Sequence, residues 1–133
     1  MNKKLEYEGE FLYERKYNGK GYDNNGNIIY ELINGNVKIK EYFPTGGLEF
    51  EGEYLNDKKN GFGKEYMGDD ELKFEGEYLN GKRNGKGKEY DLWGKIEFEG
   101  QYLNGKRNGK GKEYDLWGKI EFEGQYLNGK KVE

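Results

Sequence analysis

The sequence of 133 residues has no cysteine, histidine, serine or alanine, one proline, and in Thr45 its only threonine. Without Ser, Cys or His there is no catalytic triad, no thiolate nucleophile and no imidazole base. The common zinc sites and any disulfide framework are excluded with them. Chemistry is left to carboxylates, lysines and tyrosines, so the chain reads as a non-enzyme without cofactor or metal. The lack of alanine beside 23 glycines argues against helices, because glycine costs about 1 kcal/mol per helical position relative to Ala. No apolar run approaches the roughly 20 residues that span a bilayer. Lys3 and Lys4 are followed by no apolar segment, so no secretory signal is expected and the expected location is cytoplasmic. The net charge of −3 is too mild to draw the whole chain to DNA or to anionic membranes.

What is present pulls in two directions. A charged fraction of 37% and a mean hydropathy of −1.26 resemble a disordered chain, which buries too little apolar surface to offset ordering entropy. The aromatic fraction of 17% opposes that, since Tyr and Phe bury large areas and favour strands. Self-similarity resolves the conflict. Phe-Glu-Gly-Glu-Tyr-Leu-Asn begins at Phe50 and Phe74, and a variant with Gln in fourth place begins at Phe98 and Phe122. Degenerate copies begin at Tyr7 and Tyr30, the second of them shortened. Five units and a truncated sixth fill residues 1–133, read as one repeat domain without a linker.

Each unit reads as two strands and two turns. In Lys95–Leu103, Ile96, Phe98 and Tyr102 share one face, and Glu97, Glu99 and Gln101 the other. Asn104–Gly109 is turn chemistry; Lys110–Tyr114 is a short second strand, and Asp115–Gly118 a second turn. Connections this short join antiparallel neighbours. The expected fold is therefore all-β: an elongated single-layer antiparallel meander of stacked β-hairpins, a rod of about 11 or 12 strands and roughly 50–60 Å. Glycine within a strand marks close approach by another group, here an aromatic ring from the neighbouring strand. Two registers stay open. An even loop sets Tyr102 against Gly111; an odd loop sets Tyr114 against Phe98 and Glu99 unfavourably against Glu113.

The run from Phe74 to Tyr90 resembles the MORN repeat (membrane occupation and recognition nexus). That pattern is aromatic-x-Gly-x-aromatic-x-x-Gly-x-x-x-Gly-x-Gly, and Phe74, Gly76, Tyr78, Gly81, Gly85 and Gly87 fill it in order. The Glu-Tyr that follows, and a Gly four residues later, also resemble its bacterial variant. Departures are Asp57 in place of the mid-turn Gly and Leu32 in place of the strand Gly. The resemblance implies stacked hairpins forming an elongated curved sheet. It also implies a role in interaction, scaffolding or dimerisation, with lipid binding as the function that named the family.

Two edges carry candidate contacts. First turns on a common edge would align Arg15, Lys16, Lys58, Lys59, Lys82, Arg83, Lys106, Arg107, Lys130 and Lys131, with pairs about 10 Å apart. Such a column could dock anionic head groups or another polyanion multivalently. The bland alternative is a solvated edge, favoured by nearby Glu75, Glu77 and Glu89. Trp93 and Trp117 sit in second turns across the sheet, either as an interface or stacked on each other. Asp69, Asp70 and Glu71 lack calcium-loop spacing and read as a solvated turn. Gly81–Lys88 fails as a phosphate loop, because Lys86 replaces its second Gly and no Ser or Thr follows. Glu beside the rings argues against nucleic acid. Carboxylates repeated in every unit, such as Glu75 and Glu77, indicate a structural ladder and not a hydrolytic pair.

The expectation is a non-catalytic module for protein–protein interaction, scaffolding or self-association. Its contact residues would be Phe74, Tyr78, Phe98 and Tyr102 on an aromatic and glycine face, with Trp93 and Trp117. The open edge of the strand Ile120–Leu127 motivates self-association. The alternative is peripheral binding of anionic phospholipid head groups. No nucleic acid and no small-molecule substrate is expected.

Overall fold

The computed structural model describes the backbone of residues 6–12, 15–22, 28–33 and 36–132, and the side chains of residues 37–132. Among these residues there are twelve strands and no helix: β1 (Glu6–Leu12), β2 (Arg15–Tyr22), β3 (Ile28–Ile33), β4 (Asn36–Tyr42), β5 (Leu48–Leu55) and β6 (Lys58–Tyr66), then β7 (Leu72–Leu79), β8 (Lys82–Tyr90), β9 (Ile96–Leu103), β10 (Lys106–Tyr114), β11 (Ile120–Leu127) and β12 (Lys130–Lys131). They form one sheet in which each strand lies beside its sequence neighbours, antiparallel throughout. The expected meander is what forms. In the described residues no helix is long and apolar enough to cross a membrane.

The first turns are shorter than expected. Only Asn104 and Gly105 lie outside the strands, with φ of 50° and 88°. Positive φ at both central residues is the type I′ turn, whose twist matches that of the strands it joins. β10 therefore begins at Lys106 and not at Lys110. Asn80 and Gly81, and Asn128 and Gly129, repeat the geometry, and Asp57 adopts it at φ 64° without glycine's freedom.

Neither expected register occurs. Arg107 opposes Tyr102 and Gly111 opposes Gly100, so Asn108, Gly109 and Lys110 stand against Gln101 alone. This bulge absorbs the length difference, and a side chain caps it. Glu77 Oε2 accepts from Lys86 N at 2.6 Å in the β7–β8 bulge, and Gln101 Oε1 from Lys110 N at 3.4 Å in the next. Beyond the bulge Lys112 opposes Glu99, and Glu113 opposes Phe98. Unlike charges face each other across the ladder, which removes the Glu–Glu conflict of the odd-loop register.

The core lies on one face. Phe50, Phe74 and Phe98 are almost fully buried, as are Tyr78, Tyr102 and Tyr126. Phe74 packs edge-on against Tyr78 of its own strand at 5.8 Å and against Tyr102 of the next unit at 5.3 Å. The same contacts recur from Phe50 to Phe122. Each such pair contributes about 0.5–1.5 kcal/mol beyond burial. Glycine makes room for the rings: a Cβ on Gly87 would meet Phe74 at 2.6 Å and Tyr102 at 2.9 Å. The expected approach of a ring from the neighbouring strand is therefore present.

Candidate functional site

The aromatic ladder is closed. Over each Phe lies a cation from the following strand: Lys59 at 4.2 Å from the Phe50 ring centre, and Arg83 and Arg107 at 3.9 Å from Phe74 and Phe98. Arg83 Nε also donates to Glu65 Oε2 at 2.8 Å, and the same carboxylate oxygen accepts the Tyr78 hydroxyl at 2.6 Å. Arg107, Glu89 and Tyr102 repeat this clamp. Burial disfavours the charged form of Glu89, but hydrogen bonds from Arg107 and Tyr102 outweigh it and hold its carboxyl below the usual range. Glu65 is held low in the same way. This corrects one expectation: Phe74, Tyr78, Phe98 and Tyr102 are core residues with 0–6% exposure, so no partner reaches them.

The basic column divides in two. Lys58, Lys82, Lys106 and Lys130 are exposed at the starts of their strands. The second member of each described pair lies on the ring face, where alternation along the strand carries it. Arg83 and Arg107 serve the clamps just described, and Lys131 binds Glu113 at 2.8 Å and lies 4.7 Å from the Phe122 ring centre. The side chains of Arg15 and Lys16 lie outside the described residues. Beside the outward lysines stand exposed leucines, since Leu55, Leu79, Leu103 and Leu127 pair with Lys58, Lys82, Lys106 and Lys130.

At the opposite edge, Trp93 and Trp117 are 72% and 81% exposed. They do not stack, contrary to the alternative expected for them. The Asp91 carboxylate accepts from the backbone of Trp93 and Lys95, both at 2.9 Å, and fixes the turn. Adjacent turns are instead joined by Lys95 Nζ, which donates to the Leu116 carbonyl at 3.0 Å. Asp70, in the acidic cluster, accepts from Leu48 N at 2.8 Å and ties its exposed turn to the preceding one.

The face away from the rings holds an open groove of about 870 Å³, running from Phe62 on β6 to Gln125 on β11. Its floor is the backbone of the paired glycines, where no side chain stands. Its walls are the residues that alternate with the aromatic ladder. One row is Phe62, Lys86 and Lys110; another is Lys88 and Lys112, between Glu75, Glu99 and Glu123. The carboxylates are occupied. Tyr90 donates to Glu75 at 2.6 Å and Tyr114 to Glu99, while Glu77 caps the bulge. Burial, then the bond to Glu75, pushes the Tyr90 hydroxyl up to about 12, so it stays a donor. Lys112 reaches Glu123 at 3.5 Å. Lys86, Lys88 and Lys110 form no ion pair among the described residues. Sequence reasoning recognised the Glu75 and Glu77 ladder but not the lysines opposite it. The alternation of Gly-Lys-Gly-Lys in Gly85–Lys88 was the signal that could have placed them together.

The MORN repeat family model matches residues 50–70, 74–92 and 98–116. These stretches begin at the phenylalanines that open the regular units. No curated protein matches the chain.

Proposed function

Since the chain belongs to the MORN repeat family, a non-catalytic repeat type generally involved in protein or membrane interactions, we propose that it is a protein-docking module that seats a partner segment in the groove across β6–β11. One observation carries this reading. The aromatic ladder is sealed by its own arginines, while the opposite face keeps an open groove with a backbone floor, where Lys86, Lys88 and Lys110 form no ion pair among the described residues. Concave surfaces with a few convergent polar groups are where ligands seat, and a rigid sheet presents them at low ordering cost.

A second reading is favoured by the exposed Leu–Lys pairs along the first-turn edge. Leucines beside lysines suit contact with anionic phospholipid head groups, the lysines adding about 1 kcal/mol each near the surface. One paired experiment separates the two. Gln101→Trp with Gln125→Trp fills the groove, and Trp93→Ser with Trp117→Ser strips the second-turn edge. Capture of a partner from cell extract is expected to fail with the filled groove and persist with the stripped edge, both variants remaining folded by circular dichroism. The opposite pattern moves the contact to the tryptophans. Co-sedimentation with phosphoinositide vesicles at physiological salt, lost in Lys82→Glu with Lys106→Glu, would put the lipid edge first.

A further inference from the structure

The groove is lined by four glutamates and four lysines. The charged groups in it without a partner among the described residues are ammonium groups, and two of them, Lys86 and Lys110, stand one repeat apart. Glu75 and Glu99 accept tyrosine hydroxyls, Glu77 accepts a backbone N–H, and Glu123 faces Lys112. The ammonium groups of Lys86, Lys88 and Lys110 are left without an ion pair among the described residues. Along the chain the opposing position changes from Glu53 and Glu77 to Gln101 and Gln125, so the groove becomes less acidic toward β11. At its other end Phe62 is 48% exposed where Lys86 and Lys110 stand in later units. The row thus presents an aromatic ring and then two cations, each two strands apart, or about 9.6 Å.

That step selects the conformation of an occupant lying along the rod. A polyproline II helix returns to the same side every three residues, about 9.3 Å. An α-helix returns after seven residues and about 10.5 Å, and so drifts by nearly 1 Å per unit. A β-strand puts the third residue on its opposite face. Aromatic surfaces also receive such helices, because prolines pack on rings. Nucleic acid fits less well. Glu77 stands in the row between Phe62 and Lys86, and Glu75, Glu99 and Glu123 flank it beside Lys88 and Lys112. A phosphate at every residue would meet them, whereas carboxylates at every third position meet Lys86 and Lys110 across Gln101.

We propose that the groove takes an acidic polypeptide segment in the polyproline II conformation. An apolar residue lies over Phe62 and carboxylates at every third position lie over Lys86 and Lys110. This rests on the docking role of the groove and names the partner's chemistry. The lysines supply salt-sensitive attraction, and the three-residue period supplies register and direction.

The test uses fluorescent peptides and the whole chain at physiological salt. The probes are (Glu-Pro-Pro)4, (Glu-Pro-Pro-Pro)4 with the same charge at the wrong spacing, and (Lys-Pro-Pro)4. Anisotropy is expected to show (Glu-Pro-Pro)4 binding at least tenfold tighter than either control. Lys86→Glu with Lys110→Glu is expected to weaken it at least tenfold, and Lys73→Glu, outside the groove, by less than twofold. Equal binding of the wrongly spaced peptide overturns the proposal. Preference for the basic peptide, with NMR shifts at groove residues, overturns it and leaves the docking role standing. Binding of none overturns it too, and the docking role then falls only if the groove-filling variant still captures partner. Tighter engagement of Lys86 and Lys110 by anionic vesicles or single-stranded RNA assigns the groove to another class and overturns it as well.

Discussion

On one side of β7–β10 stand Phe74, Tyr78, Phe98 and Tyr102; on the other, from alternate positions of the same strands, stand Glu75, Glu77, Glu99 and Gln101. On the first side each cation of β8 and β10 finds both a ring and a carboxylate. On the second, carboxylates are held by tyrosine hydroxyls and backbone. There Lys112 reaches Glu123, while Lys86, Lys88 and Lys110 form no ion pair among the described residues. The difference lies partly in the choice of cation. A guanidinium is planar and weakly hydrated, so it can stack on a ring and bond a carboxylate at once, whereas an ammonium keeps its water. Arginine here acts as the lid of a one-layer core in the units at Phe74 and Phe98, while Lys86, Lys88 and Lys110 on the opposite face stay exposed.

If that division is right, the two faces answer truncation very differently. Phe98→Ala removes a ring that is fully buried between Tyr102 and Tyr126, and the expected cost is about 3–5 kcal/mol. Gly87→Val overpacks the same layer and costs about 1–3 kcal/mol, because Phe74 and Tyr102 already occupy the space. Lys88→Ala on the groove face changes stability by less than about 0.5 kcal/mol. Urea unfolding of the three variants measures this contrast. A loss at Lys88 comparable to that at Phe98 would mean that both faces are structural and that the groove is no docking surface.

Much of the fold was legible in the residues. The alternation in Ile96–Leu103 and the step between Phe50, Phe74 and Phe98 were enough to give a meander of hairpins. Register was not, because it depends on a bulge in which Asn108–Lys110 face Gln101 alone, and bulges leave no mark in a period-two pattern. The two-residue turn lengthened β10 and set Arg107 opposite Tyr102 on the ring face, so a column that looked uniformly basic splits into lids and outward lysines. The aromatic residues were read as a contact face because nothing in composition says what covers them. Their cover is Arg83 and Arg107, residues whose charge argues for water until the rings and Glu65 and Glu89 are seen beside them.

Acid should attack the closed face first. Against burial, Glu65 and Glu89 are held below the usual carboxyl range by arginine and tyrosine donors, and Glu113 by Lys131. A depressed folded value means that their contribution is fully present above about pH 4.5, the unfolded value, and is lost as pH falls through the lower folded value. Hydrogen bonds to charged groups contribute about 1.5–3 kcal/mol in general. The melting temperature should therefore be flat from pH 7 to pH 5 and drop below pH 4.5, by roughly 3–5 °C per kcal/mol lost. Glu89→Gln should lower the plateau and shallow the drop, while Lys88→Ala leaves the profile unchanged. A Glu89→Gln profile parallel to that of the parent would remove the clamp from the account.

The smallest effect is also the sharpest test of the cation's role, because the chain already contains the comparison. Lys59 occupies the lid position of the unit at Phe50, 4.2 Å from the ring centre, and has no ion pair among the described residues. The acceptor is nevertheless in place, since Glu41 already takes the Tyr54 hydroxyl as Glu65 takes that of Tyr78. In Lys59→Arg, Nε should reach Glu41 as Arg83 Nε reaches Glu65, adding one charged hydrogen bond and a flatter stack on Phe50. Fixing the longer side chain offsets part of that gain, so the net expectation is about 0.5–1 kcal/mol of added stability. The reverse change, Arg83→Lys, should cost a similar amount. A double-mutant cycle with Glu41→Gln locates the gain. Stabilisation that survives Glu41→Gln would belong to the ring alone, and the arginine lid would then be a matter of stacking and not of the paired carboxylate.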